Sequence, residues 1–65
     1  MKVQYFPDTD TVLVTLNNLP VTQTKDLDEN TLLDLDSNGN LVSITIEHAR
    51  ERADIANFSF EQVAA

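Results

Sequence analysis

Cysteine is absent from the sequence, and glycine occurs once, as Gly39. Without a thiol the chain can form no disulfide, no thiolate nucleophile and no zinc–thiolate site. The single glycine excludes a glycine-rich loop that would cradle a phosphate. A chain of 65 residues buries only about 60% of its extended surface, so stability beyond that of a thin core must come from packing or from a partner. We therefore expect a single domain, residues 1–65, that forms an oligomer.

Positive charge is also scarce, because eleven acidic residues accompany four basic ones and the formal net charge is -7. The basic residues Lys2, Lys25, Arg50 and Arg52 are scattered along the chain and form no basic stripe. An acidic surface repels a phosphate backbone. The isolated chain is therefore not expected to bind nucleic acid.

Long hydrophobic runs are missing as well. No apolar segment approaches the roughly 20 residues of a membrane-spanning helix, and an alternating segment follows Met1 and Lys2 where a signal peptide would have its apolar core. At 42% hydrophobic residues the chain is nevertheless too apolar for a disordered acidic tail. The sequence predicts a globular cytoplasmic domain that does not enter a membrane.

Two short segments near the N-terminus alternate apolar and polar residues with the period of two that is typical of β-strands. They are residues 2–6 and 11–16, and the turn formers Pro7 to Asp10 separate them, which indicates a hairpin. Residues 21–27 follow Pro20 and alternate weakly, with charged positions. We interpret them as an edge strand.

A second hairpin is predicted for residues 31–36 and 41–46, on either side of Asn38-Gly39. Both turn residues accept a positive φ, which favours a tight reversal. Alternation places five apolar side chains on matching faces of the two strands, and we expect them to form the core. They are Leu33, Leu35, Val42, Ile44 and Ile46.

From Glu47 to Ala53 the composition changes to helix formers, and Ala49, Ala53 and Ala56 fall on one narrow face that would lie close to a sheet. The predicted fold is α+β, a small antiparallel β-meander of four or five strands with one C-terminal helix. The sheet would occupy residues 2–46, and the helix and tail residues 47–65.

The turn of the second hairpin resembles the first half of a calcium-binding loop, with oxygen ligands at Asp34, Asp36 and Asn38 before Gly39. The twelfth position, however, is Thr45 instead of a bidentate glutamate, and strands flank the loop where a calcium loop has helices. Carboxylates beside an Asn-Gly turn also bond the turn amides. The hairpin turn is the preferred interpretation, and no metal ligand is assigned.

No constellation of catalytic residues is present. His48 is the one histidine, and a single histidine at the start of a surface helix is more often a polar spacer than a general base. The acidic clusters at residues 8–10 and 26–29 fall in predicted turns, where they keep a small sheet soluble or meet a basic protein. The sequence therefore predicts no enzyme, no catalytic residue and no cofactor.

Two patterns of turn residues and alternating apolar positions carry a resemblance to a known family. The first is Tyr5-x-Pro7-x-x-Asp10-x-x-x-Val14-x-Leu16, and the second comprises Asp34, Asp36, Gly39 and the strand end Ile46-Glu47-x-Ala49. Over residues 2–53 the chain resembles Domain of Unknown Function 2283, a family of small bacterial proteins. It departs from the family at Ser43-Ile44-Thr45, where a glycine is frequent, and in its tail after Ala53.

The resemblance implies a fold and no catalytic residues. Some members of the family are encoded beside small toxin genes, so the resemblance also implies an antitoxin role. We therefore expect a noncatalytic protein-binding module, most concretely an acidic antitoxin-like partner of a small basic toxin. The alternative is a homo-oligomeric structural protein without a toxin partner, in which sheet faces or tails of two chains complete one core.

The C-terminal tail supplies the predicted partner-binding residues Ile55, Phe58, Phe60 and Val63, because exposed aromatic residues of a small protein serve as interface anchors. Phe58 and Phe60 share a face on a strand but diverge by about 200° on a helix. The sequence leaves strand, helix and disorder open for this segment. We predict that both rings pack against an apolar surface, either the chain's own sheet or a neighbouring chain.

Overall fold

The computed structural model of the protein describes residues 1–64, and within them the chain forms five strands and one short helix. The strands are β1 (Lys2–Phe6), β2 (Thr11–Thr15), β3 (Gln23–Asp28), β4 (Thr31–Leu35) and β5 (Leu41–Glu47), and the helix is α1 (Ala49–Arg52). The predicted α+β class is confirmed, as are both hairpins and the strand between them.

All neighbouring strands of the single sheet are antiparallel, in the order β1-β2-β5-β4-β3. One feature of this meander-like arrangement does not follow from the alternation of apolar and polar residues. Strand β5 pairs with β2 and becomes the central strand. Strand β3 is an edge strand, as predicted, and it is exposed along its whole length. Its charged side chains and the register shift between Asp26 and Asp28 protect this edge from pairing with another chain.

The turn between β4 and β5 is organised by the carboxylate of Asp36, which is buried. Its Oδ1 accepts hydrogen bonds from the backbone N–H groups of Asn38 (2.9 Å) and Asn40 (2.8 Å), and its Oδ2 accepts one from Nδ2 of Asn40 (3.0 Å). Gly39 has a φ of 82°, as expected for a turn glycine, whereas Asn38 keeps a negative φ. The hairpin turn is therefore built by the Asp36 side chain and one left-handed residue.

Strand alternation gives the sheet two different faces. One, which we call the apolar face, contains two rows of side chains that run across neighbouring strands in register. The first row is Val3, Val14, Ile44 and Leu33, ending at Lys25, and the second is Tyr5, Val12, Ile46 and Thr31, ending at Asp28. The opposite face, which we call the mixed face, combines Leu13 and Leu32 with many polar side chains.

The expected core is only partly buried. Val42 is 4% exposed, but Leu33, Leu35, Ile44 and Ile46 are only half-buried. The prediction that all five are core residues is therefore wrong for four of them. The reason is that one sheet supplies one layer, and a sheet face becomes a core only when a second layer covers it. The register pairs Leu33 with Ile44, but it shifts after Asp34 and pairs Leu35 with Leu41.

The helix is also shorter than its composition suggests. It begins after His48, whose φ of 54° is left-handed, and it ends at Arg52, because Ala53 is extended with a φ of -148°. Ala49 is fully buried, but Ala53 and Ala56 are exposed. The expectation that all three alanines lie against the sheet is therefore wrong for the last two.

Candidate protein-binding surface

The turn between β1 and β2 is joined to the start of α1 by three side chains. The Tyr5 hydroxyl donates a hydrogen bond to Oδ1 of Asp10 (2.8 Å) and accepts one from Nε of Arg50 (2.8 Å). The backbone N–H of Arg50 donates to the same Asp10 oxygen (3.1 Å), and the N–H of Ala49 donates to the Asp10 carbonyl (3.0 Å). This cluster positions the C-terminal segment at the end of the apolar face.

Electrostatics in this cluster favour the neutral form of the tyrosine. Desolvation raises the pKa of the Tyr5 hydroxyl above its ordinary value, and the hydrogen bond to Asp10 raises it further, while Arg50 opposes both effects. The Tyr5 hydroxyl is therefore a structural donor at neutral pH and not an activated nucleophile.

Arg52 makes a second connection, to the turn between β3 and β4. Its Nη1 donates to the carbonyls of Asn30 (2.8 Å) and Glu47 (3.2 Å), and its Nη2 donates to Oγ1 of Thr31 (2.6 Å) and Oδ2 of Asp28 (3.3 Å). The planar guanidinium suits this arrangement because its donors are fixed in a fork. Backbone and side-chain hydrogen bonds from Asn30 and Thr31, together with Arg52, lower the pKa of Asp28.

Beyond α1 the chain returns across the apolar face at β1 and β2. A groove of about 380 Å³ separates the tail from these strands. It is lined on the sheet side by Val3, Tyr5, Val12 and Val14, and on the tail side by residues that include Ile55 and Phe58. Phe58 and Phe60 also line a second depression together with Met1 and Val3.

The four predicted partner-binding residues differ in burial. Ile55 is half-buried, whereas Phe58 is 63% exposed, Phe60 71% and Val63 78%. The described part of the tail, from Asp54 to Ala64, forms neither helix nor strand. Both phenylalanines border the sheet's apolar face, but neither ring is buried by it. Their role in binding a partner stays a prediction.

The residues that resembled a calcium loop are occupied by other contacts. Asp34 lies on the mixed face and accepts hydrogen bonds from Oγ1 of Thr24 (2.7 Å) and Oγ of Ser43 (2.6 Å). The Asp36 carboxylate is directed at the turn amides, and these hydrogen bonds, above all those from Asn40, lower its pKa. Residues 1–64 bring no three side chains of histidine, cysteine, aspartate or glutamate together in a way that could hold a metal ion.

The remaining candidates for chemistry are at the surface. His48 is exposed, and its side chain makes no capping hydrogen bond to α1. Asp8 and Asp26 are also exposed, in the first turn and on the edge strand. In the part of the chain that the structure describes, no helix has the length and apolar character needed to cross a membrane.

Sequence reasoning missed the structural roles of Tyr5, Asp10 and the two helix arginines. The available signal was the pattern that includes Tyr5, Asp10 and Ala49, because the structure places these three residues in one cluster. The arginines gave no such signal, since their spacing of two suggests only opposite faces of a solvated helix.

The fold and these contacts define a class of small proteins with one antiparallel sheet, apolar on one face, and a short C-terminal helix held by hydrogen bonds to two turns. The chain belongs to the family described as Protein of unknown function (DUF2283), whose sequence model matches residues 2–50. The match covers all five strands and the start of α1, and the tail lies beyond it. No curated protein and no solved structure matches the chain.

Proposed function

We propose that this protein is a noncatalytic protein-binding module and that its tail anchors an acidic, antitoxin-like interaction with a small basic protein. The observation that carries the proposal is the composition and exposure of the tail. Phe58, Phe60 and Val63 are exposed, and the exposed carboxylates Asp54 and Glu61 flank the two aromatic rings. Exposed aromatic anchors among charges of one sign suit a partner with an apolar cleft and a basic rim.

The net charge supports the same partner chemistry. At -7 the chain attracts a basic protein over a distance of about a Debye length, which accelerates association and makes the rate sensitive to salt. A toxin that cleaves RNA needs a basic surface to hold its substrate. An acidic partner that covers such a surface would block RNA binding without any catalytic group of its own.

The test is co-expression of the tagged chain with the product of the adjacent reading frame, followed by purification and a growth assay. The proposal predicts a stable complex, relief of growth arrest and an association rate that falls steeply with ionic strength. The combined absence of co-purification and of growth relief would contradict it.

A substitution in the tail locates the interface. Phe60→Ala should leave the fold intact, because the ring is exposed in the monomer, and should weaken the partner complex about tenfold or more. Phe6→Ala, a matched truncation of a 44% exposed ring on the mixed face, should leave affinity unchanged. If Phe60→Ala retains its fold, its assembly state and its partner affinity, the tail is not the interface.

A further inference from the structure

The first row of the apolar face contains aliphatic side chains that the single chain leaves incompletely buried. Val14, Ile44 and Leu33 lie in register on three adjacent strands at the middle of the sheet, and all three are only half-buried. The tail groove borders β1 and β2 and includes Val14, whereas Ile44 and Leu33 are on β5 and β4, outside the groove. The centre of the apolar face is therefore a continuous row of aliphatic side chains that the single chain does not fully bury.

This face also differs from the rest of the molecule in charge. In β1, β2, β4 and β5 the acidic residues are Asp34 and Glu47, and the register places both on the mixed face. A basic partner would find no carboxylate among the central apolar side chains. An uncharged surface is, however, compatible with an identical surface, because two copies bring no like charges together there.

The chain has a larger accessible surface than a compact monomer of its mass, which supports a second copy as the partner. A compact monomer of 7.3 kDa exposes about 4,200 Å², whereas this chain exposes 5027 Å². The excess, about 800 Å², is similar to what each partner buries in a standard interface, and the exposed tail accounts for part of it. The radius of gyration of the chain is 12.8 Å, whereas a compact chain of this length has about 11 Å. The difference arises because the single sheet is flat and the tail is extended.

We propose that a second copy of this chain covers the apolar face, so that two sheets pack face to face at a separation of about 10 Å. Val14, Ile44 and Leu33 then form the centre of a two-layer core, and the same residues of the two chains meet across a twofold axis. This inference goes beyond the proposed basic partner, since it concerns the purified chain alone and uses the sheet centre instead of the tail carboxylates.

Sedimentation equilibrium and thermal unfolding of the purified chain, at concentrations from about 1 to 100 μM, test the proposal. The expected mass at the upper concentrations is twice 7.3 kDa, and the unfolding midpoint should rise with protein concentration because only the folded dimer gains from association. A mass of 7.3 kDa throughout, with cooperative unfolding at a constant midpoint, would overturn it.

Two lysine substitutions on one strand identify the face. Leu33→Lys puts a charge at the centre of the apolar face and should weaken the dimer about 100-fold or more. Leu32→Lys introduces the same charge one residue earlier, on the mixed face, and should leave the dimer intact. Equal weakening by both variants would exclude the apolar face as the interface. If Leu33→Lys fails to fold, the concentration dependence of the unmodified chain still decides the question.

Discussion

Asp10 is the residue that joins the first hairpin to the C-terminal segment. Its φ of 54° is left-handed, a conformation that aspartate and asparagine tolerate better than most residues other than glycine. The conformation allows the Asp10 carbonyl to accept from Ala49 while the carboxylate accepts from Tyr5 and Arg50. One turn residue thus satisfies donors from two elements that are far apart in sequence.

Replacement of Asp10 by alanine should destabilise the fold by about 2 kcal/mol, because the left-handed backbone becomes strained. The Tyr5 hydroxyl and the Arg50 N–H also lose the carboxylate as acceptor, and strain in the backbone displaces the carbonyl that accepts from Ala49. Chemical denaturation measures the loss. Asp10→Gly removes the carboxylate without the strain and should cost less, and Asp8→Ala in the same turn should change stability little, because Asp8 is exposed. Equal effects of the alanine substitutions at positions 8 and 10 would show that this cluster does not stabilise the fold.

At the scale of the element, the turn between β4 and β5 is stabilised by a side chain in addition to its two backbone hydrogen bonds, from Asp36 N–H to the Asn40 carbonyl and from Gly39 N–H to the Asp36 carbonyl. The Asp36 carboxylate accepts three hydrogen bonds from Asn38 and Asn40, which lowers its pKa. A carboxyl whose pKa is lower in the folded state than in the unfolded state stabilises the fold above the unfolded pKa. That stabilisation is lost as the pH falls through the folded pKa.

Asn40→Ala should therefore raise the pKa of Asp36 toward its usual range, since it removes the donor Nδ2. The stability lost on acidification below about pH 4 should decrease in this variant. Asn38→Ala is the matched control, because Asn38 bonds Asp36 through its backbone N–H, which the substitution retains. An NMR titration of the Asp36 carboxyl carbon measures the pKa. Identical titration curves for the two variants would contradict this role of Asn40.

The strands could be predicted from the sequence because alternation and turn formers are local signals. Their pairing was less accessible, since the placement of β5 beside β2 depends on contacts between distant segments. Helix propensity overestimated the length of α1, because the left-handed His48 and the extended Ala53 restrict the helix to four residues. The tail residues were visible as candidate anchors, but the groove beside Phe58 required the three-dimensional path of the chain.

At the scale of the whole molecule, acidic side chains accompany the apolar residues of the tail but are absent from the centre of the apolar face. The sequence gives a total charge of -7 but not its distribution, which depends on which strand residues face which side. The register leaves the centre of one sheet face without carboxylates, and the tail presents exposed rings between acidic residues. The molecule thus has two surfaces of different chemistry, for which we propose a second copy and a basic protein, respectively.

If the protein assembles as we propose, a second copy covers the apolar face. Methyl relaxation in the presence of a soluble gadolinium chelate tests this cover, because the three central strands offer matched neighbours on opposite faces: Val14 and Leu13, Ile44 and Thr45, Leu33 and Leu32. All six are half-buried in the single chain. At about 100 μM we expect the methyl groups of Val14, Ile44 and Leu33 to be protected from the chelate relative to their neighbours. Dilution should remove this difference in relaxation, because it dissociates the dimer. Equal relaxation of the two faces at every concentration would contradict it.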